Sequence, residues 1–391
     1  MLERPLSVRR LATALGRSPV TALLGPRQCG KTTLARLLGR KRKLRYFDLE
    51  DVADLSRLQN PTLALASLRG LVVLDEAERM PELFEALRVL VDRTGHAARY
   101  VILGSASPFL VRGVSESLAG RVEFVELGGF DLGETGAESL ERLWIRGGFP
   151  RSFLARSDRD SLAWRESFIR TFLERDVPQL GLTIPASAMR RFWTMLAHNH
   201  GQTWNASKLA RSMGLSDKTV RSYLDILTGT FLVRQLQPWH INVGKRQVKA
   251  PKIYLRDSGV LHRLLGIDDR HGLLGHPQAG ASWEGFALEQ TLAVLRPAEA
   301  YFWSTHSGAE LDLFFLQGGH RFGIEFKLTD APRVTRSMRI AFDDLELHHL
   351  WVVHAGKDRF PVDEKITAWP LREISLLAAQ VDSAGRRRMA R

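Results

Sequence analysis

Eight consecutive residues, Gly25-Pro26-Arg27-Gln28-Cys29-Gly30-Lys31-Thr32, have the types and the GxxxxGK[ST] spacing that handle phosphate. Glycines let backbone N–H groups close around phosphate oxygens without a side chain in the way. A helix that starts at the end of the loop, through Thr33 and Leu34, adds the positive end of its dipole. In this arrangement Lys31 reaches the terminal phosphates of a nucleotide, and the Thr32 hydroxyl ligates Mg2+. Cys29 is the one cysteine in the chain. Beside Lys31 and a helix N-terminus its thiolate is favoured, and the plain alternative is a small filler residue.

The magnesium needs a second anchor. Leu71-Val72-Val73-Leu74 followed by Asp75-Glu76 supplies one, an apolar strand that emerges into two acids. Asp75 is expected near the metal, and Glu76 is expected to orient and polarise the attacking water. Ser105, after the strand Tyr100 to Leu103 and Gly104, is placed to sense the γ-phosphate or simply to close a turn. Arg121 is either an arginine finger, serving its own or a neighbouring subunit, or a surface arginine. The strands that must position these groups are Val20 to Leu24, Arg45 to Asp48, the run ending at Asp75, Tyr100 to Leu103, and Val122 to Leu127. Alternating with helical stretches, they predict an α/β fold with a parallel sheet covered on both faces.

The ordered set GPRQCGKTT, YFDLED, LVVLDEAERMP, VILGSASPFL, SLAGR, GGFP, FLERDV, IYLRDSG, WEGFALEQ, GAELDLFF and GIEFK covers nearly the whole chain. It resembles the prokaryotic AAA+ (P-loop) ATPases that carry a C-terminal domain of unknown function. The resemblance implies a protein that binds and hydrolyses ATP with Mg2+. The sequence departs from the family at Leu103, where threonine is usual, and at Gly128-Gly129-Phe130, where the family has Pro-Leu-Ser.

Residues 204–227 read as two helices broken by Gly214, with Ser216 capping the second. Val220, Tyr223, Leu224 and Leu227 face a core, while Asp217, Lys218, Arg221 and Ser222 face outward. The strand Phe231 to Leu236 and the basic stretch Gly244-Lys245-Arg246 resemble the wing of a winged helix. That module either lays its second helix in a major groove or serves only to pack.

Further on, Asp312 lies in an apolar strand, and Glu325 and Lys327 share one face of the next. An acid followed by Glu-x-Lys on the neighbouring strand is the arrangement of PD-(D/E)xK nucleases. The resemblance implies a nuclease-like α/β domain in which Asp312, Glu325 and a helix glutamate, Glu284 in preference to Glu289, gather a metal and Lys327 positions water. The plain alternative is a salt bridge between Glu325 and Lys327. Five scattered histidines, His306, His320, His348, His349 and His354, lack metal-ligand spacing.

Three domains are therefore expected: an ATPase domain over residues 1–150, a helical linker and winged helix over 151–250, and a nuclease-like domain over 251–391. At 391 residues each can bury its own core. Hydrophobic residues make up 44% and charged residues 25%, which suits a soluble globular protein. No apolar run approaches the roughly 18 residues of a membrane span. The N-terminus does not read as a signal peptide, and a single cysteine fits the cytoplasm. A net charge of +13 favours a polyanion such as DNA. The expected partners are ATP and DNA, with a homo-oligomer if Arg121 acts between subunits. The rival reading is a nucleotide-dependent regulatory switch whose C-terminal domain binds a protein and cuts nothing.

Overall fold

Short apolar runs ending in glycine or acid become the strands of the first sheet. The computed structural model describes residues 2–40, 43–95, 97–104, 108–180, 184–240 and 249–389. The chain divides into two compact units, Met1–Gly129 with Gly229–Phe231, and Phe130–Thr228 with Leu232–Arg391.

In the first unit the strands are β1 (Val20–Leu24), β2 (Leu44–Asp48), β3 (Gly70–Asp75), β4 (Ala98–Leu103) and β5 (Val122–Glu126). Their order is β2-β3-β4-β1-β5, and every pairing is parallel, as expected. All five residues of β1 are buried, because a parallel sheet is covered on both faces. Val72, Leu74, Tyr100 and Ile102 share one core with Leu83, Leu87 and Leu90 of the helix Glu82–Val91. Each fully buried leucine contributes about 2 kcal/mol by transfer from water. The parallel order brings the carboxyl ends of β1, β4 and β3 to one edge, where such sheets hold ligands.

The second unit is built on one nine-stranded sheet. Its strands are β6 (Gln202–Thr203), β7 (Val233–Pro238), β8 (Lys252–Leu255), β9 (Ala300–Ser304), β10 (Glu310–Gln317), β11 (His320–Lys327), β12 (His349–His354), β13 (Phe360–Asp363) and β14 (Ile366–Pro370). The order is β13-β14-β12-β11-β10-β9-β7-β8-β6. The expected breaks after 150 and 250 do not coincide with the division into units. The chain divides after Gly129, and β7 joins both sides of the second expected break. It pairs antiparallel with β8 and parallel with β9, through Gln237 with Tyr301 and Pro238 with Phe302. Ladder hydrogen bonds thus run without a gap from the middle of the chain into its last third.

The two helices expected around Gly214 are present as Ala206–Met213 and Asp217–Gly229, with Gly214 left-handed at φ 68°. Ser216 accepts from the Thr219 N–H at 3.1 Å, the capping role expected of it. Val220, Tyr223, Leu224 and Leu227 are buried, while Lys218, Arg221 and Ser222 are exposed. The basic stretch Gly244-Lys245-Arg246 lies outside the described residues.

Two of the quoted motifs brace this unit. Asp257 accepts from the Val260 N–H and the Gly148 N–H, each at 2.8 Å, which ties IYLRDSG to GGFP. A Cβ on Gly147 would stand 2.2 Å from the Asp257 carboxylate.

Candidate functional site

The loop after β1 turns sharply, with Gln28 at φ 63° and Gly30 at φ 103°, before the helix Lys31–Gly39 begins. Gly25 is required by space, since a Cβ there would meet the Leu127 carbonyl oxygen at 2.0 Å. Lys31 folds back over its own loop and donates to the carbonyls of Gly25 and Pro26 at 2.9 and 3.0 Å. Thr32 donates its hydroxyl to Asp75 at 2.9 Å. The same carboxylate oxygen accepts from Tyr46, and the other accepts from the Glu76 N–H at 3.1 Å. The loop lysine, the Thr32 hydroxyl and the acid at the end of β3 therefore meet at one edge of the sheet.

Glu76 takes a left-handed backbone at φ 53°. Burial pushes its carboxyl up to about 8, and the neighbouring Glu78 adds to the rise. Arg27 opposes that rise from 4.0 Å. Sequence reasoning missed Tyr46, although it lies in the quoted YFDLED. It also missed Arg4. That buried guanidinium donates to the Cys29 carbonyl at 3.0 Å, and to those of Gly128 and Gly129 at 3.3 and 3.0 Å, so it fastens the loop to the chain after β5.

Three expected roles meet different fates. Ser105 lies outside the described residues. Arg121 precedes β5 and pairs with Asp92 through two bonds of 2.7 and 2.8 Å. It sits at the opposite end of β5 from the phosphate loop, about 16 Å away at roughly 3.3 Å per strand residue. A role at its own subunit's phosphates does not fit that position. Cys29 is fully buried beneath the loop, so an exposed reactive thiolate does not fit either.

In the second unit, Glu284, Asp312, Glu325 and Lys327 do approach one another, with three groups the sequence did not single out, Lys252, Tyr254 and Glu310. Lys252 of β8, almost wholly buried, directs its ammonium at Glu284 (3.2 Å), Asp312 (3.4 Å) and Glu310. Tyr254 donates to Glu284 at 2.6 Å. Asp312 also accepts from the Phe326 N–H at 2.9 Å, across to β11. Lys327 contacts Glu325 at 2.7 Å, as the salt-bridge alternative expects, and the second Glu325 oxygen is buried with no partner. Burial, then the charge of Asp312, raises Glu284 to about 7 and Glu325 to about 8. Among the described residues, no group of three or more His, Cys, Asp or Glu side chains is arranged to hold a metal ion. An ammonium from β8 stands instead beside the carboxylates of Glu284 and Asp312, the groups expected to gather a metal with Glu325. Glu289, the alternative helix acid, pairs instead with Arg234 and Arg256.

Residues 17–136 match the family model described as "AAA domain". Residues 137–271 and 279–374 match two models described as domains of unknown function, DUF8612 and DUF4143. Two mycobacterial proteins, "Uncharacterized protein Rv2008c" of Mycobacterium tuberculosis and "Uncharacterized protein Mb2031c" of Mycobacterium bovis, are each 53% identical over 382 residues. Each alignment covers 98% of this chain and 86% of the relative. Among solved structures, the Walker-type ATPase PABY2304 of Pyrococcus abyssi is similar at a TM-score of 0.51 and 15% identity, covering 68% of this chain and 96% of that one. That likeness is one of fold. Among the described residues, no helix is long and apolar enough to cross a membrane.

Proposed function

This chain belongs to the family of those two mycobacterial proteins and carries an AAA-type ATPase domain at residues 17–136, and from that premise we propose that it hydrolyses ATP and couples the cycle to DNA held by its second unit. The observation that carries the nucleotide reading is the Thr32–Asp75 hydrogen bond, which joins the phosphate loop to the acid strand. A hydroxyl and a buried carboxylate in contact are a fitting donor set for Mg2+, which neutralises phosphate charge when bound. Lys31 leaves the carbonyls of Gly25 and Pro26 for the terminal phosphates. The remaining loop residues, Arg27 to Gly30 and Thr33, frame the nucleotide. Glu76 accepts a proton from water as its oxygen attacks the γ-phosphorus, and the bond to the bridging oxygen breaks to release ADP. Arg121 serves a neighbouring copy in a homo-oligomer. A single, buried cysteine suits the cytoplasm.

DNA association rests on the winged-helix reading of residues 204–227 with the strand Phe231 to Leu236, on exposed Lys218 and Arg221, and on the charge of +13. From Ala279 to His354 the chain runs through a helix, three antiparallel strands, a helix and a strand, which supports an α/β reading of this region. Cleavage is not part of the proposal, because Lys252 contacts the carboxylates that would have to gather the metal. The same observation favours the second reading, a nucleotide-driven switch whose C-terminal region binds a protein. Asp217, an exposed acid on the second helix, also favours it.

The test is an ATPase assay with single-stranded, duplex and branched DNA, paired with fluorescence anisotropy across a salt series. Lys31→Ala should abolish hydrolysis, and Glu76→Gln should bind ATP but turn over slowly. Normal turnover in both variants sinks the nucleotide reading. DNA affinity should fall linearly with salt on logarithmic axes as counterions are released. No binding to any DNA form moves the conclusion to the protein-binding switch.

A further inference from the structure

The PD-(D/E)xK resemblance leads one to look for a divalent metal among Glu284, Asp312 and Glu325, and the side chains there do not fit one. A small hard cation needs several oxygens drawn within about 2.1 Å of one point. The point where these side chains converge is taken by nitrogen. An ammonium has three N–H donors and no acceptor, and Lys252 meets three carboxylates, those of Glu284, Glu310 and Asp312. Its ammonium lies over the Phe302 ring, 5.7 Å from the ring centre, and its side chain is 3% exposed, so it is held rather than laid on the surface. Lys327 takes the fourth acid, Glu325. Two tethered ammonium groups thus face four carboxyl groups.

We infer that Lys252 is a built-in cation that occupies the centre of this carboxylate cluster in place of a divalent metal. The cluster therefore closes without metal and takes none up while Lys252 is present. Position in the sequence also matters. Lys252 lies on β8, outside the acid and Glu-x-Lys strands, and it reaches the cluster because β8 belongs to the same sheet. A metal would have to displace a cation tethered to the backbone and leave its ammonium buried, which is costly. The inference does not depend on DNA binding or on ATP hydrolysis.

The test counts Mn2+ bound to the full-length protein without nucleotide, by electron paramagnetic resonance of the free ion. Lys252→Met keeps most of the stem and removes the charge. It should bind one more Mn2+ per chain than the wild type, and Lys252→Met with Asp312→Asn should lose that extra ion. The wild type and Asp312→Asn should bind the same number, since the cluster holds none in either. Binding at the phosphate site is common to all four proteins and cancels. A folded Lys252→Met that gains no ion overturns the inference. So does a wild-type ion that disappears in Asp312→Asn. If Lys252→Met does not fold, the wild type against Asp312→Asn still decides.

Discussion

Arg27, on the phosphate loop, lies 4.0 Å from the carboxylate of Glu76, just past the end of the acid strand β3. The loop thus carries a positive charge to the group expected to take a proton from water, while burial and Glu78 push that group up to about 8.

A base must be ionised to accept a proton, so kcat/KM for ATP should rise with pH through an inflection near 8. That quantity reports the free enzyme. Glu78→Gln removes a charge that raises the carboxyl, so it should move the inflection to lower pH. Arg27→Gln removes one that lowers it, so it should move the inflection the other way. Identical pH profiles in all three proteins would remove Glu76 from the role of base.

Cys29 is fully buried under the loop, and its carbonyl is held by Arg4. Buried thiols are inert. The native protein should label with a thiol reagent far more slowly than the protein in denaturant, and nucleotide should change the native rate little. Stoichiometric labelling of the native protein within minutes would restore the reactive thiolate expected from its place beside Lys31.

Arg121 points away from its own loop and is held by Asp92. If it stabilises charge in a neighbouring subunit, Arg121→Ala and Lys31→Ala should each be nearly inactive alone. Mixed, they should regain part of the activity, because one supplies the arginine and the other an intact loop. No regain on mixing, with both variants folded and assembled, counts against the arginine finger.

Glu289 sits between Arg234 and Arg256 in the second unit. Burial opposes its ionisation, but the two guanidinium groups outweigh it and hold its carboxyl down to about 2. Because the folded value is the lower one, the stabilisation is fully present above the ordinary glutamate range near 4.3 and is lost as pH falls toward 2. Glu289→Ala leaves two half-buried cations without their acid and should cost about 3 kcal/mol in denaturant unfolding at neutral pH. A loss below about 1 kcal/mol would mean that the cluster is screened like a surface pair.

The phosphate loop, the acid strand and the parallel sheet were legible in the sequence because each is written locally. Two glycines at fixed spacing before Lys31 impose the loop, and an apolar run ending at Asp75 imposes a buried strand with an acid at its mouth. The helix break at Gly214 and the cap at Ser216 are local in the same sense. The tertiary structure decided which distant edges and charges meet. Nothing near Lys252 says that its ammonium will find Asp312, sixty residues on. Nothing near Pro238 says that β7 will pair with β9, which makes one sheet of two expected domains. Tyr46 reaches Asp75, and Arg121 reaches Asp92, for the same reason. Periodicity and turn chemistry fix what an element is. The partners of a buried charge follow from the packing of elements far apart in the chain, where the cost of leaving that charge alone selects the arrangement.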